Sequence, residues 1–226
     1  MLKLKNRGWL GAVAGGVALL GIAGSPVLAQ DAAAPAEKKQ EKSQDKKPTA
    51  KIGEAAPGFE LKDTDGKTVK LSDYKGKVVV LEWFNPECPI VVGHYKMQTM
   101  QKTQDQFKGK GVVWLAINSG APGQQGAGLE KNADARTKWK MAQPVLIDES
   151  GTVGRAYGAK TSPHMYVIDA KGTLVYNGAI DDGNGRSEAK TNYAANAIEA
   201  ALKGETVSPA ETRPYGCPVK YGKSGA

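Results

Sequence analysis

The 226-residue chain has only two cysteines, Cys88 and Cys217, and no C-x-x-C pair. A disulfide formed within one local motif is therefore excluded. No cysteine follows the apolar run near the N-terminus, which excludes a lipid-modified N-terminal cysteine. Two histidines, His94 and His164, leave any soft copper site of Cys, His and Met ligands incomplete. The formal net charge is +8, but its basic residues form no Lys/Arg cluster interleaved with aromatics. Three of them (Lys3, Lys5, Arg7) lie at the extreme N-terminus, and many others are scattered or sit in a polar linker. No nucleic-acid partner is expected. The glycine-rich stretch Gly120 to Gly128 fits no phosphate-binding loop, and no cofactor is expected. The length allows one sizeable core, or two small ones at most.

Residues 1–29 read as a secretory signal. Lys3, Lys5 and Arg7 form its positive end, "WLGAVAGGVALLGIAG" its apolar centre, and Val27-Leu28-Ala29 the small-residue site for cleavage after Ala29. The competing reading is an uncleaved anchor, the one route by which a membrane becomes a partner. Either way the body works outside the cytoplasm, secreted or periplasmic, where disulfides persist. Residues 30–50 contain no aromatic residue and read as a disordered linker.

Ordered sequence starts near Lys51. "FELKD" and "TVKLS" alternate around Thr64-Asp65-Gly66, predicting a small hairpin. "KVVVLEWF" is a continuous, β-branched run, the pattern of a central strand buried on both faces. Pro89 to about Phe107 is long enough for one helix, ended by Gly109 and Gly111. "GVVWLAINS" predicts a second buried strand, Leu129 to Lys140 a helix, "PVLID" a short strand and "ESGTVGRAYGA" a short helix. "HMYVID" and "TLVYNGAID" flank Ala170-Lys171-Gly172 as a hairpin, and "NYAANAIEAAL" is a closing helix. This order predicts an α/β chain with a central mixed sheet flanked by helices, a thioredoxin-like fold over residues 51–203 with an N-terminal hairpin extension. Residues 204–226 form an irregular tail that carries Cys217.

"WFNPECPIVVGHY" places Cys88 between a strand and a helix that opens with Pro89. Free N–H groups and the helix dipole favour an anion there, which lowers a thiol's pKa. Glu87 opposes that effect if its carboxylate lies close. The bland reading is a buried, inert cysteine. Val91 fills the place of a second local cysteine, one turn on. His94 lies about 240° around the helix from Cys88 and reads as a solvated residue. His164 is the histidine placed to approach Cys88. Tyr95 reads as packing, and Trp83 and Phe84 as core.

"IGEAAPGFELKDTDGKTVKLSDYKGKVVVLEWF" and "SPHMYVIDAKGTLVYNG" together resemble the redoxin branch of the thioredoxin superfamily. That branch includes peroxiredoxins of the alkyl hydroperoxide reductase/thiol-specific antioxidant type and extracytoplasmic thiol-disulfide oxidoreductases. The resemblance spans about Ile52 to Lys203. It implies Cys88 as nucleophile, Pro163 as a cis-proline facing it, and the C-terminal Gly216-Cys217 as a paired motif. It also marks departures. Where peroxiredoxins carry P-x-x-x-T/S-x-x-C, Leu81 and Asn85 stand at the Pro and Thr positions, and Pro163 stands where an arginine is usual. Asn85 remains a candidate hydrogen-bond donor for slow peroxide reduction. The expected partners are a thiol or disulfide protein, or a peroxide, together with an external reductant. Cys217 is left with three readings: a resolving cysteine, a permanent structural partner of Cys88, or a lone thiol. The alternatives to an oxidoreductase are a non-catalytic binding module with a structural Cys88–Cys217 disulfide, or a copper-handling protein.

Overall fold

The computed structural model describes residues 50–223; the expected signal and nearly all of the linker lie outside the described residues. At the centre is β3 (Val78–Trp83), in which every residue is buried. Its valines cannot form a helix without losing side-chain freedom, and alternate residues serve opposite faces. Val78 and Val80 enter one core with Phe84, Met100 and Ile198. Val79, Leu81 and Trp83 enter the other with Phe59, Tyr157 and Tyr166. Both faces of the sheet are thus covered, as a parallel-type centre requires.

β4 (Val112–Asn118) pairs parallel to β3, and β5 (Val145–Ile147) parallel to β4. On the other side β7 (His164–Ile168) runs antiparallel to β3, with β8 (Leu174–Gly178) at that edge. The hairpin β1 (Glu60–Asp63) and β2 (Thr68–Lys70) joins the same sheet through β1 against β5. The order β2-β1-β5-β4-β3-β7-β8 makes seven strands. The last two residues of "TVKLS" leave the strand for a 3-10 turn, Leu71–Tyr74. Helices α3 (Leu129–Lys138), α4 (Thr152–Tyr157) and α5 (Tyr193–Lys203) follow the predicted places.

Two elements depart from expectation. The single helix from Pro89 is two, α1 (Pro89–Lys96) and α2 (Thr99–Gln106), broken where Gln98 takes a left-handed φ of 61°. A straight helix would turn Met100 about 140° away from Tyr95. Both are buried in one core, and the break brings them to it. No glycine or proline marks this break, so it follows from packing. The tail is also not wholly irregular. Its β9 (Cys217–Pro218) pairs antiparallel with β6 (Thr161–Ser162), and Val219 N–H donates to Lys160 O at 3.0 Å. Upstream, Thr212 N–H donates to Asn177 O at 3.2 Å along the β8 edge. Among the described residues no helix is long and apolar enough to cross a membrane.

Candidate active site

Cys88 is the N-cap of α1, and Pro89 occupies the first helical position, where no N–H is needed. Asn85 shapes the approach. Its backbone carbonyl accepts from Cys88 N–H at 3.1 Å, and its side-chain oxygen accepts from Glu87 N–H at 2.9 Å. The Cys88 side chain is 0% exposed, and its thiol donates to Ser162 O at 3.0 Å. The thiol thus stands at the open N–H end of α1 and is bonded to a backbone carbonyl.

The Ser162–Pro163 peptide is cis, and Ser162 faces Cys217 across the β6–β9 pair. One backbone unit thus touches both cysteines. Both thiols are free. Burial, and then the Cys88 thiol beside it, push Cys217 up to about 11. Cys217 is half-buried and opens on a groove of about 560 Å³, lined also by Pro89, Ile90, Asn184, Arg186 and Tyr215.

The Glu87 carboxylate is held by the glycine-rich loop and by Lys131. Its carboxylate accepts from Lys131 Nζ at 2.8 Å and from Gly126 N–H at 2.7 Å. Those two bonds lower its pKa. The Asn85 amide is likewise turned to this glycine-rich loop, donating to Gln125 O at 3.2 Å.

Both histidines correct the sequence reading. His94 is not solvated: it is fully buried, with Nε2 3.0 Å from the Tyr215 hydroxyl and its ring stacked on Tyr215 at 5.8 Å. Its tail partner and Asp181 lie far along the chain, so helical phase alone could not place it. His164 does not turn to Cys88. It lies beside Tyr166 on the opposite core, with Nδ1 3.1 Å from the Tyr166 hydroxyl. Burial pushes it down to about 4. A copper site built on Cys88 with these histidines has no geometric support. Among the described residues no group of three or more His, Cys, Asp or Glu is placed to hold a metal.

The valine run conceals a buried acid, Glu82. It shares strand parity with Val78 and Val80, hence the face of Cys88, and is 0% exposed. Tyr95 O–H donates to both carboxylate oxygens at 3.1 Å, and Trp114 Nε1–H donates to one at 3.0 Å. Burial outweighs these bonds and raises the carboxyl to about 7. Tyr95 is therefore a partner of a buried acid as well as a packing residue. The available signal was a lone carboxylate in a strand buried on both faces.

Residues 52–177 match the AhpC/TSA family. The chain belongs to that family. It is similar to a protein named thiol-disulfide oxidoreductase ResA from Geobacillus thermodenitrificans, with 31% identity over 54% of this chain and 66% of that protein. It is also similar to a chloroplastic peroxiredoxin Q from Populus jackii, with 31% identity over 55% of this chain and 59% of that protein. Among solved structures, an uncharacterised conserved protein from Geobacillus kaustophilus superposes with a TM-score of 0.71 at 27% identity, covering 77% of this chain and 94% of that one. The fold is thioredoxin-like, a mixed sheet flanked by helices. This AhpC/TSA chain places Leu81 in the core opposite Cys88 and Val91 in the same core as Cys88.

Proposed function

We propose that this chain is an extracytoplasmic thiol-redox protein whose working couple is Cys88 and Cys217. The meeting of both cysteines at Ser162, Cys88 through its thiol and Cys217 through the β6–β9 pair, carries the reading. In the reductive direction the Cys88 thiolate attacks one sulfur of a partner disulfide and expels the other as a thiolate. Cys217 then attacks the Cys88 sulfur, its proton passing to a departing thiolate, and the partner leaves as a dithiol. Two electrons have moved to the partner, and an external dithiol restores Cys88 and Cys217. The names of the relatives, with their thiol-disulfide chemistry, agree with this. Burial of Cys88 means that a protein disulfide reaches it only when the tail segment lifts. The groove beside Cys217 is where such a partner would dock.

A peroxide is the second substrate class, favoured by the family and by the fully buried Cys88, which a small oxidant reaches more easily. Here Cys88 attacks an O–O bond, giving a sulfenic acid and releasing water or an alcohol. Cys217 then expels water from that sulfur. Without an arginine at the Pro163 position this path is slow.

Equilibration with glutathione mixtures tests the couple. The expected result is a reversible Cys88–Cys217 disulfide with a potential above about −300 mV. A value well below that marks a structural bridge, and no disulfide at all sinks the proposal. Sulfenic-acid trapping in a Cys217→Ser variant reports the peroxide branch. No labelling at modest peroxide excess removes it.

A further inference from the structure

We infer that Tyr215, Asp181 and His94 form a positioning latch that seats Cys217 for its attack on the Cys88 sulfur. The inference rests on the thiol-redox reading above. Tyr215 O–H donates to Asp181 Oδ1 at 2.7 Å, and Gly183 N–H donates to the same oxygen at 2.9 Å. His94 Nε2 lies 3.0 Å from the Tyr215 oxygen, and His94 Nδ1 lies 3.7 Å from Asp181 Oδ2. With the proton on Nε2, a single chain of donors runs from His94 through Tyr215 to the Asp181 carboxylate. Asp181 is 2% exposed and His94 0%. An acid and an imidazole are costly to bury, and apolar side chains of the same volume would hold a tail against a core. Directional bonds add a fixed position, which apolar packing tolerates losing.

The position is that of Cys217. Tyr215 precedes it by two residues, a span of at most about 7 Å. Gly216 between them has a φ of +114°, and a side chain there would overlap the Ser162 carbonyl. The connection therefore has no slack. Downstream, Cys217 is held opposite Ser162 and Val219 is bonded to Lys160. The upstream anchor hangs on His94, a residue of α1, whose N-cap is Cys88. Both sulfurs are thus referenced to one helix. Holding two reactants in this way raises their effective concentration. The latch acts on the reaction through the position of Cys217.

Tyr215→Phe keeps the ring and removes the hydroxyl. Glutathione equilibration of this variant is expected to show at least a tenfold fall in effective thiol concentration, a rise of about 30 mV in potential. In a Cys217→Ser background, the same substitution is expected to speed iodoacetamide alkylation of Cys88, because the unlatched tail lifts more readily from the buried thiol. Asp181→Asn keeps an acceptor for the hydroxyl, supplies a second measurement should Tyr215→Phe fail to fold, and is expected to fall between it and wild type. A merely structural role weakens the dithiol and disulfide forms alike. Effective thiol concentrations within threefold of wild type in both variants would therefore overturn the latch and leave the thiol-redox reading standing. If wild type forms no Cys88–Cys217 disulfide, that reading fails, and the latch with it.

Discussion

Glu82 makes the stability of this fold depend on pH in a direction opposite to that of most carboxylates. In the folded chain its carboxyl sits near 7, against 4.5 for a free glutamate. Between those values the folded form keeps a proton that the unfolded form has released. Raising the pH through this window therefore favours unfolding. The difference between 4.5 and about 7 corresponds to about 3 kcal/mol, present below pH 4.5 and lost by about pH 7 to 8. Glu82→Gln cannot ionise and retains an oxygen for Trp114 Nε1–H. Its stability relative to wild type is expected to be a fixed offset at pH 4.5 and to improve by about 3 kcal/mol by pH 8. Urea unfolding of both proteins in dithiothreitol, with both cysteines reduced, measures this difference. His94 and His164 titrate in both proteins and cancel. A gap between the two that stays constant from pH 4.5 to 8 would refute the burial argument for Glu82.

His164 works on the acid side. Burial lowers it to about 4, so the unfolded chain takes up a proton near pH 6.5 that the folded chain refuses. Stability conferred by its neutral form is present above pH 6.5 and falls by about 3 kcal/mol as pH drops to 4. His164→Asn should flatten this acid limb in urea titrations, and an unchanged limb would contradict the assignment. Asn192 caps α5, its side-chain oxygen accepting from Ala195 N–H at 2.8 Å. Asn192→Ala should cost about 1 kcal/mol in urea unfolding at pH 7, and a loss below a few tenths would show the cap to be dispensable.

Local pattern by itself determined the strands of the main sheet and the helices α3, α4 and α5 in this protein. The valine run could only be a strand buried on both faces, and the turn residues 170–172 could only close a hairpin between β7 and β8. It also determined where Cys88 stands, because strand, turn and Pro89 follow within a few residues. These features rest on interactions between near neighbours, which a linear pattern records. Tertiary structure alone decided the rest. It broke the helix at Gln98 so that Tyr95 and Met100 could share a core. It sent His164 to the core opposite Cys88, since strand parity decides the face and Tyr166 supplies the partner. It buried His94 beneath a tail residue 121 positions away. It laid β9 along β6, bringing Cys217 to the carbonyl that Cys88 already uses. Each of these depends on bonds between distant segments, whose partners are chosen by packing and by the need to satisfy buried polar groups.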